Sequence, residues 1–237
     1  MKELASTGKL RVGVVASPAM SAFFVTRDAA GAPHGVTVDL GIALAQRLGV
    51  PVEFLVAPNS GEVTEAIASG AIDVTFMPVD EERKKLVEFG PAYFMVESTY
   101  LVTEASGITT LAEVDRPGVR VVGIANTTTI RSAARALKNT SVIAATSVDE
   151  AVDMLRSGKS DAFALSHDSL PPLAAGLPGS RILDGGFQKT VIAIAVPKNR
   201  PQALATVTAF MADAKRSGLV RRALDDAGFK NAAVAPD

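Results

Sequence analysis

The sequence predicts an α/β protein built from two Rossmann-like lobes, and three observations lead to this fold class. Short, β-branched apolar runs alternate with longer runs whose apolar residues recur at helical spacing, which is typical of a parallel sheet with crossover helices. The alternation then starts again in the second half of the chain. Finally, the segment 69–73 (Ser-Gly-Ala-Ile-Asp) is matched 88 positions later by 157–161 (Ser-Gly-Lys-Ser-Asp).

The first copy of this plan holds three predicted strands and two predicted helices. Apolar residues recur every three or four positions in the first helix, which Gly49 is expected to end. Ser60 is expected to cap the second helix. Pro78 stops the third strand, because proline cannot donate to a sheet ladder. The strands are predicted at 10–15, 51–56 and 72–76, and the helices at 38–48 and from Ser60 to Ser69.

The second copy repeats the plan after residue 120. Strands are predicted at 121–124 and 141–145, and a helix follows each of them. The first of these helices passes through Ala134 and Leu137, and the second through Ala151 and Leu155. A repeated strand–helix–strand order over this length predicts a second lobe of the same type.

Two strand-like segments, 97–104 and 189–196, belong to neither copy and are predicted to cross between the lobes. The helical segment 201–228 is expected to pack back on the first lobe. The segment 231–237 shows no periodicity and is expected to be disordered. The predicted division is therefore 1–96 with 196–237 for lobe 1, and 97–195, including the hinge strands, for lobe 2.

Composition excludes several classes of partner. The 237 residues carry a formal net charge of −1 without a basic stripe, and aromatic residues are only 5% of the chain. Nucleic acid and anionic membrane surfaces are therefore not expected as partners. The chain has no Cys, and its two histidines, His34 and His167, lack the spacing of a metal site. Neither a metal nor a cofactor is expected.

The sequence contains few motifs that indicate catalysis. No phosphate-binding loop, dinucleotide fingerprint or zinc helix is present. Ser166, His167 and Asp168 have the residue types of a hydrolytic triad, but neighbours in sequence point in different directions and cannot relay a proton along one line. No residue is therefore predicted to be catalytic.

The amino-terminal segment indicates where the protein could reside. Residues 1–8 lack the apolar core of a signal peptide, and no apolar run approaches the roughly 20 residues of a membrane helix. The protein is therefore either cytosolic or an exported protein whose signal peptide has been removed.

The segment 72–92 carries the first candidate binding group. A buried strand ends near Met77 and Pro78, and Arg83 follows within a charged stretch. Ligands of open α/β sheets bind at this carboxyl edge. The planar guanidinium of Arg83 offers a fork of donors suited to a carboxylate. The alternative interpretation is that residues 80–85 form a solvated charged turn.

The second lobe offers a matching group. Thr128 and Thr129 stand where a helix begins after the loop of Asn126, and the free N–H groups of a helix start favour an anion. An arginine on one side and a helix start on the other would hold a carboxylate between them. The two threonines could also serve simply as helix caps. Further candidate ligand contacts are Ser17, Phe23, Phe24, Phe76 and Ser166.

The order of these features resembles the extracellular solute-binding proteins of ABC importers, specifically their amino-acid-binding family. The matching segments cover nearly the whole chain. They are Leu10-Arg11-Val12-Gly13-Val14, Gly35-Val36-Thr37-Val38-Asp39-Leu40, Ser69-Gly70-Ala71-Ile72-Asp73, Glu82-Arg83 with Val87-Glu88-Phe89-Gly90-Pro91-Ala92-Tyr93, and Val122-Gly123-Ile124 with Thr128-Thr129.

The resemblance implies a periplasmic binding protein fold of type II, with two lobes joined by two hinge strands. It also implies a small-molecule ligand that is buried by hinge closure and delivered to a membrane permease of an ABC importer. In this family Arg83 and Thr129 would hold the α-carboxylate of the ligand. We therefore expect a periplasmic protein, its signal peptide removed, that works as a monomer.

This sequence departs from the family pattern at the ammonium site. Amino-acid binders carry an acidic residue where this chain has Ser166, and binders of basic amino acids carry a carboxylate where this chain has Val15. A buried ammonium without a counter-charge is costly. A plain carboxylic acid, or a ligand whose amine meets Asp168 or backbone carbonyls, fits as well as a zwitterionic amino acid.

Two other functions are compatible with the same residues. The chain could resemble cyclohexadienyl dehydratases, which eliminate water from a carboxylated ring and would need Asp168 or Glu81 as acid or base. Turnover of prephenate or arogenate would identify that activity. The chain could also be a ligand-sensing domain separated from a receptor or a transcription regulator.

Overall fold

A computed structural model describes residues 3–17, 20–230 and 232–236. Within this part, the chain folds into two compact units. Unit 1 comprises the described residues of 1–16, 20–95 and 191–237, and unit 2 those of 17–19 and 96–190. The chain therefore passes between the units near residues 95 and 190, inside one long strand on each occasion.

The first half of the chain alternates strands with helices, as the periodicity predicts. The left-handed conformation of Gly49, with φ 67°, ends the first helix, which confirms the role predicted for this glycine. The elements are β1 (Leu10–Ala16), β2 (Phe24–Arg27), β3 (Pro33–His34), α1 (Val36–Leu48), β4 (Val52–Ala57), α2 (Ser60–Ala68), β5 (Val74–Pro78), α3 (Glu81–Leu86) and β6 (Val87–Val102).

The second half repeats this alternation and then closes with two helices. The predicted strand 121–124 is confirmed, and the predicted helical segment 201–228 is divided at Gly218 into the last two helices. The elements are β7 (Val121–Ile124), α4 (Thr128–Ala136), β8 (Val142–Ala145), α5 (Val148–Arg156), β9 (Ala162–Ser166), α6 (Leu170–Ala175), β10 (Arg181–Ile182), β11 (Gln188–Pro197), α7 (Pro201–Arg216) and α8 (Leu219–Asp226).

Parallel strands form the centre of the sheet in unit 1. β1 pairs in parallel with β2, β4 and β5, and β11 pairs antiparallel with β5. The carboxyl ends of β1, β4 and β5 therefore lie at one edge of the sheet. The segments that follow β4 and β5, which begin α2 and α3, are neighbours at that edge.

The sheet of unit 2 has the order β6, β9, β7, β8. β7 is parallel to both of its neighbours, while β6 and β9 are antiparallel. One face of this sheet carries an apolar core to which β6, β7, β9 and α4 all contribute. Gly123 allows α4 to lie close to β7, because a Cβ there would come within 2.9 Å of the Ile130 side chain.

One ion pair is built in the same way in both units. Asp73 accepts hydrogen bonds from the backbone N–H, Nε and Nη2 of Arg11, at 2.9, 3.0 and 2.6 Å. Asp161 accepts from the same three groups of Arg120, at 2.8, 2.9 and 2.7 Å. Both aspartates belong to the repeated Ser-Gly…Asp segment, so the sequence echo corresponds to a repeated structural device.

Three local predictions are wrong. The cap of α2 is Asn59, whose side chain accepts from the N–H of Glu62, and not Ser60. Residues 80–85 form most of the short helix α3 instead of a turn, because Asp80 caps it by accepting from the N–H of Arg83.

The third correction concerns the carboxyl-terminal segment. Asn231 and Asp237 lie outside the described residues, but 232–236 dock on unit 1 and are not disordered. Val234 bridges to Phe94 in an antiparallel pair, and the N–H of Ala235 donates to the carbonyl of Tyr93 at 3.0 Å. Periodicity failed here because the docking is backbone pairing, which leaves no helical or alternating pattern.

The carboxylate of Asp161 should make the stability of the protein depend on acid. Hydrogen bonds from Arg120 lower the pKa of Asp161, so its contribution is present above its unfolded pKa of about 3.9 and is lost as the pH falls through the lower folded value. We expect Asp161→Asn to lower the melting temperature by a few degrees at pH 7. The difference from wild type should shrink below about pH 4.

Asp153→Asn is the matched control for this experiment. Asp153 pairs with Arg156 at 2.5 Å, but its side chain is 71% exposed, so the pair contributes little. The test is to measure the melting temperatures of wild type and both variants across pH 2.5–7. An Asp161 variant that melts like the Asp153 variant at neutral pH would contradict the role assigned to the ion pair.

Candidate functional site

Arg83 is the central residue of the site in unit 1. Asp80 starts α3 directly after β5, which places Arg83 in the first turn of that helix at the carboxyl edge of the sheet. Only 2% of the residue is exposed. Its Nη1 donates to the carbonyl of Pro78 at 3.0 Å, and its Nη2 donates to Oγ of Ser60 at 2.6 Å. These two bonds fix the plane of the guanidinium.

The charge of Arg83 is buried, and this separates it from its neighbours in sequence. Burial lowers the pKa of the guanidinium to about 9, so it is still protonated at neutral pH. Lys84 and Lys85 instead pair with Glu81 and Glu82 across one helical turn, and all four side chains are at least half exposed. These four side chains are therefore solvated as that interpretation expects, although they belong to a helix and not to a turn, whereas Arg83 is buried.

Ser60 is a residue that sequence reasoning assigned to the wrong role. Because Asn59 provides the cap of α2, the hydroxyl of Ser60 is available to accept from Arg83. Ser60 follows β4 and Arg83 follows β5, so the contact joins two neighbouring segments at one edge of the sheet. The signal in the sequence was an Asn-Ser pair before a helix, either member of which could have been the cap.

The apolar candidates of unit 1 are buried side chains around this edge. Phe76 packs edge-to-face on Tyr93 with ring centroids 5.8 Å apart, and Met77 lies beside Thr64. Phe23 and Phe24 pack on each other with centroids 5.1 Å apart. Pro78 is buried and provides the carbonyl that Arg83 contacts. Their contact with a ligand stays a prediction.

The helix start predicted in unit 2 is present, but its cap is Thr127. The hydroxyl of Thr127 accepts from the N–H of Ile130 at 3.3 Å and donates to the carbonyl of Ile124 at 2.7 Å. Asn126 precedes it in the left-handed conformation, with φ 57°. Capping by Thr128 or Thr129, the simpler interpretation of these residues, is therefore wrong.

The hydroxyl of Thr128 is therefore buried but does not cap the helix. Thr128 is the first residue of α4 and is 1% exposed. Its Oγ1 has no hydrogen-bond partner among the described residues. A buried hydroxyl in this state costs about 1–3 kcal/mol, which a polar group of a ligand would offset. Thr129, next to it, is half-buried.

Ser166 stands at the carboxyl end of β9 and forms part of a group of hydroxyls. Its Oγ lies 2.6 Å from Oγ of Ser169, and Ser98 is directly opposite it on β6. Neither Ser98 nor Ser169 was among the predicted site residues. No local pattern could have identified Ser98, since the pairing of β6 with β9 joins residues 68 positions apart, from 98 to 166. Ser17, the remaining candidate, is half-buried beside residues 18 and 19, which are outside the described chain.

Comparison with known proteins identifies the family. A family model described as bacterial extracellular solute-binding proteins, family 3, matches residues 10–226. This chain belongs to that family.

Proteins similar to this family 3 protein bind amino acids. A glutamine-binding protein of Geobacillus stearothermophilus is 26% identical over 199 residues, covering 80% of this chain and 72% of the relative. The arginine-bound form of ArgBP from T. maritima is 26% identical, with a TM-score of 0.78, and 90% and 99% of the two chains are covered. An ancestral amino acid-binding protein, described as a precursor of cyclohexadienyl dehydratase, is 26% identical with a TM-score of 0.82, covering 95% and 97%.

The carboxylates that dehydratase chemistry would need are engaged in this solute-binding protein. Glu81 is 82% exposed at its side chain and pairs with Lys84 at 2.7 Å. Asp168 is half-buried and already has an interaction partner within the protein. A general acid or base has to reach the substrate with a proton to exchange, whereas the carboxylate of Glu81 is paired in solvent.

Across 3–17, 20–230 and 232–236, no three His, Cys, Asp or Glu side chains are grouped so that they could hold a metal ion. In the same part of the chain, every helix is too short or too polar to cross a bilayer.

The hydrogen bond between Ser60 and Arg83 should contribute measurably to the free energy of unfolding. Ser60→Ala leaves the Nη2 donor of a buried guanidinium without its hydroxyl acceptor, which should lower the free energy of unfolding by about 1–3 kcal/mol. Ser69→Ala, at the other end of the same helix, removes an exposed hydroxyl and should change it by less than about 0.5 kcal/mol. Equal effects in urea denaturation would contradict this assignment.

Proposed function

We propose that this protein is the substrate-binding component of an ABC importer, and that it captures a small carboxylate-bearing solute by closure of its two lobes. The solute is an amino acid or a related organic acid. Membership of the extracellular solute-binding family supports the class of function. The buried guanidinium of Arg83 is the single observation that carries the choice of a carboxylate.

A buried, protonated arginine is expensive unless an anion or oriented dipoles offset its desolvation. In Arg83 the carbonyl of Pro78 and the hydroxyl of Ser60 accept hydrogen bonds from the guanidinium and orient it. A carboxylate matches both the charge and the planar geometry of a guanidinium. We therefore assign Arg83 as the carboxylate anchor, with Thr128, Thr129 and the loop of Asn126 as the donors contributed by unit 2.

The ligands of the relatives support this choice of ligand. Glutamine-binding, arginine-binding and ancestral amino acid-binding proteins all take solutes that carry a carboxylate. By the same comparison, we propose a periplasmic protein, released from its signal peptide, which delivers its ligand to a membrane permease as a monomer. We propose no cofactor and no nucleic-acid partner.

Arg83 variants test the anchor. With a carboxylate ligand found by a thermal-shift screen, Arg83→Ala should weaken binding by about 2 to 5 kcal/mol, because a desolvated charge pair is lost. Arg83→Lys keeps the charge but loses the planar fork, so it should bind more weakly than wild type and more strongly than Arg83→Ala. Titration calorimetry measures both changes.

Lys84→Ala is the matched control for these variants. Lys84 carries the same charge one position along α3, but it is half exposed and pairs with Glu81. Its replacement should leave the affinity unchanged within about twofold, since exposed pairs contribute little. Wild-type affinity in the Arg83→Ala protein, shown to be folded by its melting curve, would remove Arg83 from the site.

A binding protein should also show no turnover. We propose that this chain is not an enzyme, because Glu81 is paired in solvent and Asp168 is already engaged. Incubation with prephenate or arogenate, followed by absorbance, should show the rate of the buffer blank. A rate that rises in proportion to protein concentration, and falls in Asp168→Asn, would favour the dehydratase alternative.

A further inference from the structure

Unit 2 has a group of hydroxyl side chains at one face and one edge of its sheet. We call this group, which consists of Ser98, Thr128, Ser166 and Ser169, the hydroxyl row. In the antiparallel pair of β6 and β9, Ser98 lies opposite Ser166 and Tyr100 lies opposite Ala164. Residues that face each other in this way project from the same side of a sheet. Tyr100 and Ala164 belong to the apolar core that α4 covers. Ser98 and Ser166 therefore continue that core face toward the carboxyl end of β9.

The row lies at the edge of the sheet where α4 begins. β7 and β9 are parallel, so their carboxyl ends share an edge, and α4 starts just after β7. Ala133 of α4 packs in the same core as Tyr100, so the preceding turn of the helix, with Thr128, extends toward Ser98 and Ser166. These hydroxyls thus occupy one face and one edge of the sheet.

Two of these hydroxyls are buried without being used by the fold. Ser98 and Thr128 are each 1% exposed, and neither Oγ of Ser98 nor Oγ1 of Thr128 has a hydrogen-bond partner among the described residues. Ser166 and Ser169 pair with each other at 2.6 Å, which leaves one hydrogen of the pair to donate elsewhere. The hydroxyls next to the apolar core can therefore still form hydrogen bonds with a polar group from outside the described part of the protein.

The row is also electrically neutral. Ser98, Ser166, Ser169 and Thr128 carry no charge, and hydroxyls can both donate and accept. The carboxylates nearest in sequence are Glu97, which lies 3.9 Å from the ammonium of Lys189, and Asp168, which is half-buried and already has a partner in the protein. An ammonium held here would be a desolvated cation facing neutral dipoles, which is unfavourable. A hydroxyl or a keto oxygen would meet donors and acceptors without a charge to neutralise.

We infer that Ser98, Ser166 and Ser169 form a neutral subsite for an uncharged oxygen substituent of the ligand. The solute is then a 2-hydroxy or 2-oxo carboxylic acid and not the corresponding 2-amino acid. This inference rests on the proposed function, because it presupposes that the carboxylate of the same solute is bound by this protein.

Matched ligands test the chemical class. Titration calorimetry of the purified wild-type protein compares 2-amino, 2-hydroxy and 2-oxo acids that share one side chain, across a panel of side chains. The hydroxy or oxo acid should bind at least tenfold more tightly than its amino counterpart. Tighter or equal binding of the amino acid overturns the inference while the proposed function stands. Binding of no carboxylate at all overturns both.

Variants locate the subsite. Ser98→Ala should lower the affinity for the preferred hydroxy or oxo acid about fivefold, the equivalent of one neutral hydrogen bond. Ser160→Ala is the matched control, because Ser160 is equally buried and its hydroxyl also lacks a partner among the described residues. Ser160 lies at the opposite, amino end of β9 and should leave the affinity unchanged. Equal affinities in the two variants overturn the assignment.

Ser166→Asp gives the complementary result. A carboxylate in the row should raise the affinity for the amino acid and lower that for the hydroxy or oxo acid, so that the preference measured in wild type reverses. A variant that folds, as its melting curve shows, and keeps the wild-type preference overturns the subsite. If this variant does not fold, the comparison of Ser98→Ala with Ser160→Ala decides the question alone.

Discussion

Burying one positive charge is the constraint on which the rest of the candidate site depends. Arg83 is held in the interior of unit 1, where its guanidinium donates to a carbonyl and to a hydroxyl. The cap at Asp80, the cap at Asn59 and the parallel order of β4, β1 and β5 all serve to bring those contacts together. A small anion is the partner that such an arrangement favours.

In unit 2 the candidate groups are neutral. Thr127 caps α4, and the buried hydroxyl of Thr128 has no hydrogen-bond partner in the part of the chain that the structure describes. Ser98, Ser166 and Ser169 add further hydroxyls at the same edge of that sheet. The candidate groups therefore differ in kind, with a charged guanidinium in unit 1 and neutral hydroxyls in unit 2.

Periodicity and turn chemistry predicted most of the fold, because strands, helices and the glycine that ends α1 are determined locally. The repeated aspartate was also visible in the sequence, and its pairing with Arg11 and Arg120 gives that repeat a physical meaning. Arg83 could be proposed from its place after a strand. The partner of Arg83 could not, since the choice between Asn59 and Ser60 as the cap depends on a one-residue boundary. Ser98 could not be predicted as a site residue, because the register between two strands that are distant in sequence leaves no local pattern.

The two arginine–aspartate ion pairs lie at the amino-terminal edges of the sheets, whereas the candidate binding groups lie at the carboxyl-terminal edges. In each unit, the ion pair that stabilises the fold and the groups proposed to bind a ligand therefore lie at opposite edges of the sheet. Evolution, or a protein engineer building a biosensor, could therefore change the candidate binding groups without altering these two ion pairs.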